Sequence, residues 1–158
     1  MKRITVVAFF LAILVPIHAS PADEAAFDDV KLADANGKQA HATLIFSDIN
    51  KDVVVRAANR DLVTIPDDQI DRFSYEYSKK HRIAQGAAVM VASLGAGAVI
   101  MFTHSKSHWL YIDYHEQNDP KTLVLRMNKK DYEDILGAIR THTGKDVEFL
   151  GEKNKQGN

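Results

Sequence analysis

One uncharged run decides how the rest of the chain is interpreted: IAQGAAVMVASLGAGAVIMF, residues 83–102. About 20 residues at the helical rise of roughly 1.5 Å cover the ~30 Å of a bilayer core, so the run is long enough for a transmembrane helix. Strand-like segments lie on both sides of it. The sequence therefore predicts an apolar helical insert within a single β domain.

A second apolar stretch lies at the N-terminus. Met1-Lys2-Arg3 is positively charged, residues 4–15 are apolar, and a proline and several small residues follow. This order predicts a secretory signal peptide over residues 1–22, with cleavage after Ala19 or Ala22. We therefore expect an exported chain that is periplasmic or associated with a cell-envelope membrane. The absence of cysteine excludes disulfides and thiol chemistry.

The remaining chain has the size of one domain. We predict this domain over residues 27–150 and a polar tail over residues 151–158. The formal net charge is -1, which gives no electrostatic reason to expect a nucleic-acid partner.

Apolar residues recur with a period of two between residues 27 and 82. Phe73, Tyr75 and Tyr77 alternate with polar residues, which predicts a half-buried strand with its aromatic side chains on one face. Residues 109–114 and 122–127 predict a hairpin, with residues 117–121 as its loop.

The period changes after Asn128, which is a favourable helix N-cap. An amphipathic helix is predicted there, and Gly144 supplies its left-handed stop. Val147 and Phe149 predict a short edge strand beyond it.

Three phrases resemble bacterial pleckstrin-homology-like (PH-like) domains: LVTIPDDQI at 62–70, HWLYI at 108–112 and NKKDY at 128–132. More narrowly, the chain resembles exported bacterial proteins of this kind that carry an apolar insert before the His-Trp strand. The resemblance implies a β-barrel with a capping helix and no known catalytic residues. The predicted fold is mainly β (α+β), a PH-like antiparallel barrel or strongly bent sheet with one C-terminal amphipathic helix and an apolar helical insert.

Three arrangements of the insert remain open: a membrane-inserted hairpin bent at residues 95–97, a helix packed on another surface, or a true span with swapped or oligomeric β halves. If the N-terminal half is exported, a simple span places the cations of residues 79–82 on the outer side of the membrane. This placement opposes the positive-inside tendency. Small residues recur on one helical face and suit close helix self-association, although a weakly apolar helix without a partner has the same composition. These helix-packing candidates are Ala84, Ala88, Ala92, Ala96 and Gly97.

Cations and an indole flank the insert. Ammonium and guanidinium groups bind lipid phosphates, and tryptophan favours the membrane interface. The same charges also serve simply to keep the ends of an apolar helix solvated. The predicted membrane-interface residues are Lys79, Lys80, Arg82, Lys106 and Trp109.

Three histidines are the main candidates for metal binding. His104 and His108 are four residues apart and lie on one side of a continuing helix, and a hairpin-shaped insert brings His81 near them. No ligand set is complete and no HExxH pattern is present, so we predict no metal, no cofactor and no catalytic residue.

These observations predict a non-enzymatic, envelope-associated binding or scaffolding module that is attached to membrane through residues 83–102. Membrane lipid is the expected partner, and a protein partner or self-association through the insert is a further expectation. The alternative is a soluble periplasmic metal-binding protein or metal-dependent enzyme that uses His81, His104 and His108.

Overall fold

The structure is a computed structural model, and it describes residues 24–33, 39–80, 88–89 and 102–151. At residues 33, 79–80, 88–89 and 102–105 it describes the backbone alone. The predicted signal peptide lies outside these residues, as does all of the predicted tail except Gly151, so both stay predictions.

The described residues form one sheet, one short helix and a 3₁₀ turn at Asp67–Gln69. Helix α1, Tyr132–Ala138, continues as a π-helical turn, Ile139–Thr143. The strands are β1 Glu24–Ala33, β2 Gln39–Ser47, β3 Asp52–Ala57, β4 Arg60–Pro66, β5 Ile70–Lys80, β6 Ala88–Val89, β7 Phe102–Glu116, β8 Asp119–Met127 and β9 Val147–Leu150.

Eight strands follow one path, in the order β4-β3-β2-β1-β8-β7-β5-β9, and β6 pairs with β8 beside this path. Strands β1 to β4 form an antiparallel meander. Two residue pairs, Lys31 with Arg126 and Leu32 with Leu125, join the meander to β8. The final strand, β9, is parallel to β5.

Two hairpins turn on pairs of residues with positive φ. These are Ala58 and Asn59 between β3 and β4, and Gln117 and Asn118 between β7 and β8. Two-residue turns of this kind match the right-handed twist of the strands, so pairing continues up to the turn. The predicted β7–β8 hairpin is confirmed, but its loop has two residues rather than five, and Pro120 lies within β8.

The main core lies between the folded sheet and the helical segment, which contributes Ile135, Ala138 and Ile139. Gly144 has φ of 67°, which confirms the predicted left-handed stop. Asn128 is not the helix N-cap. It forms a turn before the helix, in which its side-chain oxygen accepts a hydrogen bond from the amide of Lys130 at 3.2 Å.

The predicted antiparallel barrel is wrong, because the sheet is mixed and open. Among the described strands, β4 pairs only with β3, and β9 pairs only with β5. Strand β7 pairs along one edge of β5, and β9 pairs with residues 73–76 on the other edge, so β9 stands where β4 would have to pair to close a barrel.

The predicted apolar helical insert is also contradicted. Ala88 and Val89 form strand β6, which pairs in parallel with Lys121 and Thr122 of β8. Within the described ranges, β1 pairs with β8 at Leu125 and Arg126 alone, so the earlier part of this β8 edge is open to another strand. No helix in the described part of the chain is long and apolar enough to cross a membrane, so the expected transmembrane helix is not supported. The rest of the run up to Met101 lies outside the described residues.

Candidate functional site

The candidate site lies at the β5–β9 end of the sheet, where four elements bring aromatic side chains together. Alternation along β5 places Tyr75 and Tyr77 on the same face. His108 of β7 lies opposite Tyr77, and Phe149 of β9 lies opposite Tyr75. Helix α1 adds Tyr132. We call these five residues the aromatic surface.

The rings of the aromatic surface contact one another around the imidazole of His108. The centroid of this ring lies 3.9 Å from that of Tyr132 and 4.7 Å from that of Tyr77. Phe149 meets Tyr75 edge-on, with centroids 5.5 Å apart at 68°, which is a favoured geometry for aromatic pairs. A hydrogen bond of 2.8 Å joins the Tyr75 hydroxyl to Nδ1 of His108. The five side chains therefore form one contiguous, oriented set.

The central groups of this surface are uncharged near neutral pH. Burial, and secondarily the positive charge of Lys129, lowers the pKa of His108. Burial raises the pKa of Tyr75 to about 12. A hydrogen bond to Glu133 raises the pKa of Tyr132. Neutral stacked rings are suited to contact with a partner, and a tyrosine that holds its proton this tightly is a poor nucleophile.

Two members of the aromatic surface are exposed to solvent. Tyr77 is 51% exposed and Phe149 is 53% exposed. The ammonium group of Lys106 lies 5.5 Å from the centroid of the Tyr77 ring, within cation–π range. Ile49, at 74%, is the other large apolar side chain exposed in the described part of the chain, and it lies by itself on the β2–β3 turn. Clustered exposed aromatics indicate a contact surface more strongly than a single exposed isoleucine does.

A groove of about 380 Å³ runs between α1 and β9, beside Phe149. Its floor is open at Gly137, where an added Cβ atom would meet nothing within 4 Å. Strand β9 ends the sheet, so its outer edge pairs with no strand among the described residues. The groove is lined by Leu136, Gly137, Arg140, Asp146, Val147 and Phe149.

No family model matches this chain. No curated protein matches it either, and the resemblance to PH-like domains therefore stays a prediction.

Of the predicted membrane-interface residues, the structure describes the side chains of Trp109 and Lys106. Trp109 is 0% exposed, packs with Tyr111 and Val124, and donates its indole N–H to the carbonyl of Ser78 at 3.1 Å. Lys106 is exposed beside the aromatic surface. Only the backbones of Lys79 and Lys80 are described, both in β5, and Arg82 lies outside the described residues. Their role at a membrane interface stays a prediction.

The face of the sheet that carries Trp109 also holds a buried carboxylate. Glu76 is 4% exposed, and its Oε2 accepts a hydrogen bond of 2.9 Å from the hydroxyl of Tyr111. Residues 76 and 109 face each other across β5 and β7. This polar contact lies on the face opposite the aromatic surface.

Of the three histidines considered for metal binding, the structure places His108 in the aromatic surface. The side chain of His104 and all of His81 lie outside the described residues. Within the described ranges, no group of three His, Cys, Asp or Glu side chains is placed to hold a metal ion. Among the helix-packing candidates, Ala88 lies in β6, and the other four fall outside the described ranges.

Sequence reasoning did not assign Tyr77, Tyr132 or Phe149 to one site. The alternation along β5 and the predicted edge strand did indicate that Tyr77 and Phe149 lie in strands. The missing information was the parallel pairing of β9 with β5, which brings together residues far apart in the chain.

Proposed function

We propose that this chain is a non-enzymatic binding or scaffolding module that captures an extended segment of a protein partner along β9. The observation that carries the proposal is the outer edge of β9, which pairs with no strand in the described part of the chain and lies beside an open groove and an exposed phenylalanine. We place the partner segment against this edge, with one large apolar side chain in the groove.

The backbone of β9 supplies the first part of the interaction. An edge strand presents unpaired N–H and C=O groups, and an added strand satisfies them by main-chain hydrogen bonds. β9 is short, so backbone pairing alone gives little affinity. Side-chain contacts are required to select the partner.

Apolar contacts supply the second part. Val147 and Phe149 point to the same face of β9, and Leu136 lies across the groove on α1. Because Gly137 has no side chain, an apolar group of the partner has room beside the helix. Burial of such a group against Phe149 is favourable in proportion to the apolar area removed from water.

Charge indicates what else the partner segment carries. Lys106 lies over Tyr77, and Lys129 is close enough to lower the pKa of His108. Both are cationic, so an acidic residue in the partner gains a favourable interaction at this end of the surface. We therefore propose a partner segment that combines a large apolar residue with an acidic one.

Panning a library of random peptides, each about 12 residues long, on the folded full chain tests this proposal. Affinities of the enriched peptides are then measured by calorimetry for the wild type and three variants. Phe149→Ala removes the groove wall, and Gly137→Leu fills the groove. Ile49→Ala removes an apolar side chain elsewhere that is more exposed than Phe149. We expect about a tenfold loss for the first two variants and no change for Ile49→Ala.

Amide hydrogen exchange supplies a second readout. Bound peptide should slow exchange of β9 amides that face the open edge. Failure to enrich any peptide contradicts the proposal, and so do enriched peptides that bind Phe149→Ala and Gly137→Leu as tightly as the wild type.

A further inference from the structure

A pair of half-buried cations lies where β1 meets β8, on the face of the sheet that carries Trp109. These strands share two residue pairs. Leu32 and Leu125 are buried in the core, and the alternation of the strands places Lys31 and Arg126 on the opposite face. Two positive side chains therefore lie directly opposite each other across an antiparallel pair.

Like charges in this position repel each other, and an acidic neighbour normally offsets the repulsion. Among the described residues, neither Lys31 nor Arg126 forms an ion pair with a carboxylate. Nη1 of Arg126 instead donates a hydrogen bond of 3.0 Å to the neutral side-chain oxygen of Gln39, which orients the guanidinium. The two charges are thus held together without neutralisation.

A third cation lies beside this pair. A cleft of about 260 Å³ opens there, and Lys129 forms part of its wall. One acidic residue, Asp29, also lines the cleft, but its carboxylate lies 2.7 Å from Nδ1 of His41. The full lining is Asp29, Lys31, Arg126, Met127, Asn128 and Lys129.

We propose that this cleft binds a phosphate group, with the guanidinium of Arg126 and the ammonium groups of Lys31 and Lys129 as its ligands. Arginine donates paired N–H groups to two phosphate oxygens, and lysines add point charge. Three cations against one engaged carboxylate give the net positive field that a dianion requires. This cleft shares Lys129 with the charged end of the proposed partner surface, but Lys31 and Arg126 line neither that surface nor the β9 groove, so their substitution tests the phosphate site by itself.

The phosphate has two sources with the same chemistry, a free phosphate compound and a phospholipid headgroup. Inorganic phosphate is titrated into the full chain, and amide shifts are followed by NMR. In a separate arm, sedimentation measures association with vesicles of phosphatidylcholine alone or mixed with phosphatidylglycerol.

Three variants assign any binding to the cleft. Lys31→Gln and Arg126→Gln each remove one positive charge from the site. Arg60→Gln removes the same charge at the start of β4 and serves as the matched control. Thermal unfolding of each variant establishes that it is folded before binding is compared.

We expect phosphate to shift the amides of residues 126–129, and Arg126→Gln and Lys31→Gln each to weaken binding about tenfold, with Arg60→Gln unchanged. If the protein binds phosphatidylglycerol vesicles and the same two variants weaken that binding, the source is a lipid headgroup. If the protein binds inorganic phosphate but not the vesicles, the source is a free phosphate compound. The proposal is overturned if the wild type binds neither probe. It is also overturned if both site variants bind as well as the wild type.

Discussion

The hydroxyl of Tyr75 lies 2.8 Å from Nδ1 of His108, and this contact ties β5 to β7 inside the aromatic surface. The same imidazole stacks on Tyr132 of the helix. One histidine therefore links three elements of the fold. Its protonation state affects both the stability of the fold and the surface that we propose for partner binding.

Acidification should destabilise the protein through His108. Its pKa is lowered, chiefly by burial and secondarily by Lys129, so the folded state binds a proton less readily than the unfolded state does. The stability contributed by neutral His108 is complete above the unfolded pKa of about 6.5 and is lost as the pH falls through the lowered folded pKa. Urea unfolding from about pH 7.5 downwards measures the loss, which should be smaller in His108→Phe. His115→Gln, which removes an exposed histidine, is the control. The prediction is contradicted if His108→Phe loses as much stability on acidification as the wild type and the control do.

Asp67→Asn should stabilise the protein at neutral pH. Oδ1 of Asp67 is buried without a hydrogen-bond partner in the described structure, and burial is the main cause of its raised pKa. The folded state therefore binds this proton more readily than the unfolded state, and the ionised side chain costs stability above the raised pKa. We expect a gain of about 1 kcal/mol at pH 7 that disappears as acid protonates Asp67. Urea unfolding at pH 7 and at an acidic pH, where Asp67 is protonated, measures this gain. The neighbouring exposed Asp68→Asn is the control, and an equal gain there argues against a specific effect of burial.

Tyr111→Phe should destabilise the protein, because it removes a hydrogen bond to the buried carboxylate of Glu76. Hydrogen bonds to charged groups contribute about 1.5–3 kcal/mol. The free energy of unfolding should fall by an amount in this range. Tyr77→Phe removes an exposed hydroxyl from the opposite face and should change little. A loss no larger than in this control shows that the contact to Glu76 does not stabilise the fold.

Lys31→Gln should raise stability at low ionic strength, because it removes the repulsion across the β1–β8 pair. The expected gain is a few tenths of a kcal/mol. Salt screens exposed charges, so the gain should shrink in about 1 M sodium chloride. Thermal unfolding in phosphate-free buffer is the appropriate measurement. Lower stability of Lys31→Gln under these conditions means that the lysine has a favourable structural contact instead.

Fluorescence offers a direct test of the position of Trp109, the single tryptophan in the chain. Its complete burial and its hydrogen bond to Ser78 predict blue-shifted emission that iodide does not quench. Unfolding in urea should restore quenching and provide the positive control. Strong iodide quenching in the native protein would place the indole at the surface.

Local chemistry made several elements predictable from the sequence. Period-two alternation identified the strand that carries Tyr75 and Tyr77, and Gly144 marked the end of the helical segment. Val147 and Phe149 indicated the last strand. Each of these signals lies within a few residues of the chain, where backbone preference and side-chain alternation act directly.

Long-range pairing was not predictable in the same way. An apolar composition does not by itself separate a buried strand from a helix, and β6 forms because β8 offers it an open edge. The barrel prediction failed because β9 occupies the second edge of β5. Lys31 lies opposite Arg126 because of the register between β1 and β8, and the sequence around each residue does not indicate this register.

The parallel pairing of β9 with β5 also has a consequence for the order of folding. This edge of β5 is covered only after Val147, in the last strand of the sheet, pairs with Phe73. Contacts between such distant residues form slowly, and an uncovered strand edge invites association with other chains. A nascent chain that has not yet reached β9 thus exposes an aggregation-prone edge. Docking of β9 covers this edge of β5 and, in the same step, completes the surface that we propose receives a partner.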